Sequence, residues 1–286
     1  MNIGYIGLGL MGRPCTLNLI KAGHNLFVWA RRKEAADEVV AAGATFCGSI
    51  AETASSCDIL FLNVTNTEDV ESVIFGSRGV VESGNKGLTI VDMSTISASA
   101  TRNMAERLVS HGMELVDAPV SGGTAGAQSG TLTIMVGASE STFERIKPIL
   151  LCMGKSVTRI GECGAGQVAK SCNQIVITGA IAAVAEAFRF AVAAGVDPRP
   201  IREALLGGFA GSKILEMHGM RMINDDYAPG FKTVLHRKDM GIVSQMAGEM
   251  RLSMPLSEIG LGLLERALEA GYAEMDSSAV YKVTGK

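Results

Sequence analysis

GYIGLGLMG, Gly4 to Gly12, decides how the first half of the chain reads. Gly7, Gly9 and Gly12 stand between a short apolar segment, Asn2 to Ile6, and a helix-like run from Pro14 to Lys21. In a strand-turn-helix unit the first glycine allows the tight turn, the second lets backbone approach a pyrophosphate, and the third lets helix and strand pack closely. The helix start then offers free N–H groups and a positive dipole end to the phosphates. The spacing predicts a dinucleotide-binding unit in which Gly7, Gly9, Leu10, Met11 and Gly12 surround the cofactor.

Working outward, Asn25 to Trp29 reads as the second strand, followed by Ala30, Arg31 and Arg32. A fold of this type that prefers NAD places an Asp or Glu on the adenosine ribose about 20 residues past the glycines. Two guanidiniums stand there instead, and guanidinium pairs bidentately with phosphate. The expectation is NADP(H) over NAD(H), with NAD(H) use still possible.

Strand-like and helix-like stretches go on alternating. Helices are expected at Lys33 to Ala42, Thr67 to Phe75, Ala98 to Ser110 and Glu140 to Leu150. Strands are expected at Ile59 to Val64, Leu88 to Met93, Met113 to Val116, Leu132 to Val136 and near Val157 to Ile160. This is the pattern of a parallel sheet with crossover helices. After Gly161 the strand signal vanishes, and the remainder reads as helices punctuated by GVDPRP and LSMPLS. The predicted fold class is α/β, with a Rossmann-type dinucleotide-binding domain over 1–161 and an all-helical domain over 162–286 for substrate and dimerisation. A long interdomain helix, Gly166 to Ala194, joins them. It is apolar nearly all round, as expected of a core helix whose packing continues across a dimer interface. Its uncharged run from Ile175 to Ala185 is too short to cross a bilayer, so no membrane span is expected.

A length of 286 residues with 47% hydrophobic residues suits about two domains with sizeable cores. The net charge of -3 leaves no basic footprint for nucleic acid or a membrane surface. Six cysteines without a CxxC imply neither zinc nor another metal, nor disulfides, and fit buried thiols in a reduced, cytoplasmic protein.

Two segments can carry chemistry. In GAGQVAKSCNQ, Lys170 precedes Asn173 and Gln174 by three and four residues, so one cation and two amides share a helical face. A lysine in an apolar setting near a helix N-terminus is driven toward a titration range useful for proton transfer. In DAPVSGG, Ser121, Gly122 and Gly123 follow a strand ending near Asp117, where parallel sheets bind their ligands. A hydroxyl beside exposed backbone N–H groups suits a carboxylate, and a ligand-free glycine turn fits the segment equally well.

These motifs, with VDMSTIS, GGFAGSKILEMHG, PGFKTVLHRKDM and the late DSSA, run in one order along the whole chain. In them the chain resembles the β-hydroxyacid dehydrogenases. The resemblance implies a reductase with Lys170 as catalytic acid and base. Ser121, Gly122 and Gly123 would hold the substrate carboxylate, with Asn173 and Gln174 beside it. Thr95, Val64, Thr65, Phe231 and Lys238 would lie along the cofactor. Two positions depart from many relatives, which carry Pro where this chain has Thr65 and Asn where it has Gln174.

The reaction this resemblance implies is hydride transfer to the aldehyde carbon of a small 3-oxo acid, reversible as oxidation of a 3-hydroxy acid, in a homodimer or homotetramer. The GGFAGS segment, Gly207 to Ser212, favours the pair tartronate semialdehyde and glycerate, with 3-hydroxyisobutyrate or another short semialdehyde as the runner-up. Imine reductases on the same scaffold usually lack the lysine. A non-catalytic dinucleotide module would keep the glycines and lose it.

Overall fold

A computed structural model describes residues 1–285. Two compact units divide the chain, Met1–Lys170 and a second that begins at Ser171. The first is organised on a sheet whose strands are β1 (Asn2–Ile6), β2 (Asn25–Trp29), β3 (Thr45–Phe46), β4 (Ile59–Leu62), β5 (Thr89–Asp92), β6 (Glu114–Asp117), β7 (Val120–Ser121), β8 (Leu132–Gly137) and β9 (Gly154–Gly161). Strands β3-β2-β1-β4-β5-β6 lie side by side and parallel. Their order reverses between β1 and β4, the topological switch point of a doubly wound sheet.

The sheet is covered on both faces, which is why β4 and β5 are buried along their whole length. Side chains alternate between two cores. Ile3, Tyr5, Ile59, Phe61, Val91 and Val116 face one, and Ile6, Leu60, Leu62, Ile90 and Leu115 face the other. The helices of this unit are α1 (Gly12–Lys21), α2 (Asp37–Ala41), α3 (Ile50–Ser55), α4 (Thr67–Phe75), α5 (Ala98–Val109), α6 (Gly123–Ser129) and α7 (Glu140–Leu150). Helices α1 and α7 fill the first core with Cys15, Leu19, Phe143 and Ile146, and α4 and α5 fill the second with Val70, Ile74, Met104 and Leu108. Each such side chain contributes about 1.5–3 kcal/mol by leaving water.

The structure corrects the expected sheet at β8 and the expected helix after β2. Strand β8 runs antiparallel to β6 and β7, because the chain turns back through β7 and the short α6 instead of crossing over a face. The stretch expected as one helix from Lys33 to Ala42 is a 3₁₀ turn, Lys33–Ala36, followed by the short α2.

Helix α8, Ala165–Ala193, starts in the first unit and continues into the second. The rest of the second unit is helical, with α9 (Pro198–Leu206), α10 (Lys213–Asn224), α11 (Thr233–Glu249), α12 (Pro255–Glu269) and a closing 3₁₀ segment, Ser277–Lys282. Asp197 and Ser212 cap α9 and α10 through their side chains, and Pro stands at the start of α9 and α12. Ile181, Ala185 and Phe188 of α8 pack with Leu215, Met222, Met240, Val243, Leu263 and Val280.

Helix α8 is not buried all round within the chain: Val176, Phe190 and Val192 are exposed. By length and composition alone the whole helix, beyond its short uncharged run, is long and apolar enough to cross a membrane, a test that core helices also pass. Yet Lys170, Glu186 and Arg189 interrupt it, and one side packs into the core of the helical unit. The cysteines are all free thiols. Cys15, Cys47 and Cys57 are buried, Cys152 and Cys163 half-buried, and Cys172 exposed, so the expected burial holds for three of the six.

Candidate active site

The carboxyl ends of β1, β2, β4, β5 and β6 set out one row of loops. The glycine turn leaves β1, and the segment with Val64 and Thr65 leaves its neighbour β4 at the switch point. The two are interlocked: a Cβ on Gly7, whose φ is +101°, would lie 2.1 Å from the Asn63 carbonyl oxygen, and one on Gly12 would lie 1.9 Å from the Gly7 oxygen. A Cβ on Gly9 would meet nothing within 4 Å. The first and third glycines are therefore required by packing, and the second leaves a bare backbone facing open space. Helix α1 has no side-chain cap and no acidic residue in its first turn, which leaves its positive end available to an anion. Leu10 is exposed and Met11 half-buried on the same turn. This cradle fits a dinucleotide pyrophosphate.

Arg31 and Arg32 are exposed just past the end of β2, the strand beside β1. Thr95 follows β5, half-buried, and its loop is tied to the β4 loop by the Val64 N–H, which donates to Ser94 Oγ at 2.9 Å. Ser121 ends β7, half-buried, and pairs with Thr133 of β8. Gly122 and Gly123 follow with φ of +130° and +61°. These two positive values turn the chain abruptly into α6, a path other residues adopt only with strain. The half-buried hydroxyl and the N–H groups of this turn form a donor set of the kind that holds a carboxylate.

Lys170 is the one buried cationic side chain among the described residues, at 8% exposure. The start of its helix is held by Asp117 at the end of β6, whose carboxylate accepts from the Gly164 N–H at 2.6 Å and the Gln167 N–H at 2.8 Å. Burial pushes the Asp117 carboxyl up, against these hydrogen bonds and one from Cys163.

In the second unit the structure joins three of the expected residues through one that the sequence reading passed over. Asn173 Nδ2 donates to Gln174 Oε1 at 2.8 Å, and Gln174 Nε2 donates to Asp239 Oδ2 at 2.7 Å. Asp239 Oδ1 lies 3.0 Å from Lys238 Nζ. The two amides thus engage each other and Asp239, where the helical spacing alone had set them both toward Lys170. Asp239 stands beside Lys238 in the sequence, so the acid–base dipeptide was visible. Its partner 65 positions away was not.

Phe231 is placed by a second overlooked carboxylate, Asp276 of the DSSA motif. Asp276 Oδ2 accepts from the N–H groups of Gly230 and Phe231, both at 3.1 Å. Its Oδ1 accepts from the Ser278 N–H at 3.1 Å, from Ser278 Oγ at 2.7 Å and from His218 Nδ1 at 3.2 Å. Burial alone would raise this carboxyl, but the bonds from His218, Ser278 and Phe231 outweigh it and hold it far below the usual carboxylate range. The Phe231 ring lies 5.4 Å from that of His236.

Residues 2–161 match the family described as the NAD binding domain of 6-phosphogluconate dehydrogenase. Residues 164–284 match the NAD-binding domain of NADP-dependent 3-hydroxyisobutyrate dehydrogenase. The chain is 44% identical over 280 residues to the 2-hydroxy-3-oxopropionate reductase of Escherichia coli, covering 98% of this chain and 96% of that protein. It is 37% identical over 284 residues to the 2-(hydroxymethyl)glutarate dehydrogenase of Eubacterium barkeri, covering 99% and 94%. Among solved structures, the 3-hydroxyisobutyrate dehydrogenase of Mycobacterium tuberculosis with L-serine superposes with a TM-score of 0.91 at 31% identity, covering 100% of this chain and 99% of that one.

Proposed function

For this chain, which belongs to the β-hydroxyacid dehydrogenase family, we propose reduction of 2-hydroxy-3-oxopropanoate, tartronate semialdehyde, to glycerate with NADPH as the preferred cofactor. The observation that carries the reading is Lys170: among the described residues no other lysine or arginine is buried, and it stands near the start of α8. An ammonium held at the start of a helix can give and take a proton at one fixed place. The 44% identity to a reductase of that substrate supports the choice among short 3-oxo acids.

The bound cofactor would supply a hydride to the aldehyde carbon. Lys170 Nζ donates a proton to the oxygen of that carbonyl as negative charge grows on it, and takes a proton from the hydroxyl in the reverse direction. Ser121 Oγ and the backbone of Gly122 and Gly123 hold the substrate carboxylate. Asn173 and Gln174 orient its hydroxyl end, and Asp239 fixes the amide of Gln174. Gly7, Gly9, Leu10, Met11 and Gly12 receive the pyrophosphate, and Val64, Thr65, Thr95, Phe231 and Lys238 flank the rest of the cofactor. Arg31 and Arg32 pair with the 2′-phosphate that distinguishes NADP(H), with NAD(H) as a weaker alternative. The nucleotide-binding domain spans 1–161 and the helical substrate domain 162–286. Exposed Val176, Phe190 and Val192 on α8 suit a homo-oligomer, and six free thiols suit the cytoplasm.

A panel of 3-oxo acids assayed with both cofactors tests the substrate, with glycolaldehyde as the decisive comparison. It keeps the hydroxyl and aldehyde of tartronate semialdehyde and lacks only the acid. Donors built for a carboxylate are left unpaired without it, and discrimination of about 10⁴ is attainable on that basis. We expect kcat/KM for glycolaldehyde to fall by orders of magnitude, and Ser121→Ala to impair the acid substrate alone. Equal rates on the two aldehydes overturn the proposal. Higher kcat/KM on 3-hydroxyisobutyrate would favour the second reading, which rests on the likeness to 3-hydroxyisobutyrate dehydrogenases.

A further inference from the structure

Gln167 lies one helical turn before Lys170 on α8 and is fully buried. Its amide makes two hydrogen bonds to a single loop. Nε2 donates to the Ser94 carbonyl oxygen at 2.9 Å, and Oε1 accepts from the Ile96 N–H at 3.1 Å. Those two peptide groups flank Thr95, so the side chain spans the segment in the manner of a paired strand. The two bonds require both a donor and an acceptor at the tip, a combination that only an amide among the long side chains supplies at neutral pH.

The same turn of helix is fixed from two other directions. Asp117 accepts from the Gln167 backbone N–H, as it does from Gly164. A Cβ on Gly166 would lie 2.4 Å from the Met135 carbonyl oxygen, so α8 abuts β8 with no room for a side chain. Helix position and rotation are thereby set against the loop after β5, the end of β6 and the body of β8, and Lys170 inherits both. A fully buried amide bonded only for stability has no need to straddle one residue of a candidate cofactor loop.

We infer that Gln167 is a positioning residue, which registers Lys170 against the Thr95 loop so that the proton donor and the cofactor loop keep a fixed separation. The inference rests on the proposed role of Lys170. Gln167 touches no reacting atom in this scheme and acts through the helix. A displacement of about 1 Å at a reacting group costs on the order of 10²-fold in rate. The effect should therefore fall on kcat, leaving the affinity for NADPH nearly unchanged.

The test measures kcat, KM for tartronate semialdehyde and Kd for NADPH in Gln167→Ala, Gln167→Glu and Lys170→Ala, with far-UV circular dichroism confirming the fold at the assay temperature. Gln167→Ala should lower kcat by about tenfold to a hundredfold. Gln167→Glu retains the length and carries the test independently of any packing defect. Ionised, its carboxylate opposes the Ser94 carbonyl. Protonated, it can donate to Ser94 and accept from Ile96, so its kcat relative to wild type should recover as pH falls through the titration of the buried carboxyl, which burial moves upward. A purely structural amide would not tie turnover to that titration in a folded enzyme. Unchanged kcat in both Gln167 variants beside an inactive Lys170→Ala overturns the inference alone. Undiminished turnover in Lys170→Ala overturns the proposed role of the lysine, and the inference with it.

Discussion

Replacing Asp276 by Asn tests how much of the helical unit depends on one buried carboxylate. Five donors converge on its two oxygens: the N–H groups of Gly230 and Phe231 on Oδ2, and Ser278 N–H, Ser278 Oγ and His218 Nδ1 on Oδ1. Arg221 adds its charge at 3.8 Å. Asparagine keeps one acceptor and turns an amide NH₂ toward the other set. The less costly orientation orphans the two backbone donors, and at about 1–3 kcal/mol for each unsatisfied buried donor the loss is about 2–6 kcal/mol. With a urea slope of about 1–3 kcal/mol per molar, the midpoint should fall by roughly 1 M or more. Far-UV circular dichroism follows the helices, and Trp29, the one tryptophan, sits in β2 and reports on the nucleotide-binding unit. The helical signal should move most.

The pH dependence of that difference has a definite sign. Because the folded carboxyl titrates below its unfolded value of about 3.9, its contribution is present above that pH and is lost as pH falls toward the folded value. The gap between wild type and Asp276→Asn should be full near neutrality and narrow below about pH 4. Phe231 hangs on the same oxygen as Gly230, so with Phe231 in the proposed cofactor site the variant should also bind NADPH more weakly. A midpoint unchanged at neutral pH, or a gap that widens in acid, refutes the reasoning.

Two further substitutions probe the site directly. Asp239→Asn removes the charge between Gln174 and Lys238; since a hydrogen bond to a charged group is worth about 1.5–3 kcal/mol, and Lys238 is partly solvated, kcat/KM should fall about tenfold. Steady-state kinetics with tartronate semialdehyde measure it, and an unaltered value removes Asp239 from the site. Arg31→Asp should shift relative affinity from NADPH toward NADH by about tenfold to a hundredfold, read from the Kd values of both cofactors. If the ratio does not move, Arg31 is surface charge alone.

The fold was legible wherever an element was long enough to carry a period. Asn2–Ile6, Asn25–Trp29, Thr67–Phe75 and Glu140–Leu150 are observed at the expected residues because apolar runs or 3.6-residue spacing fill them from end to end. The two-residue strands β3 and β7 and the short α3 and α6 have no room for a period. Helix α3 did carry a signal: Ser49 accepts from the Glu52 N–H, and Glu52 reaches back to the N–H of Gly48, the residue before the cap, a variant of the capping box readable as Ser-x-x-Glu. The reversal of β8 was not readable, since direction depends on how the 118–131 connection packs. The candidate residues were legible as types, a lysine among amides and a serine before glycines. The bonds from Gln174 to Asp239 and from Phe231 to Asp276 were not, because they span 65 and 45 residues.

Those hidden partners share one chemistry. Asp117, Asp239 and Asp276 are buried carboxylates on three separate elements, and none belongs to the glycine turn, the arginine pair or the lysine helix that drew attention in the sequence. A buried carboxylate is expensive unless several donors meet it, and here the donors are the N–H groups starting α8, the Gln174 amide with the Lys238 ammonium, and the loop carrying Phe231. An acceptor with two oxygens and no donor can fix a segment only by taking the donors that segment presents. It therefore pins backbone and amide geometry without adding a reactive proton of its own. In this chain Asp239 and Asp276 stand one bond behind residues proposed to meet substrate and cofactor, Gln174, Lys238 and Phe231, and Asp117 holds the start of the helix that carries Lys170.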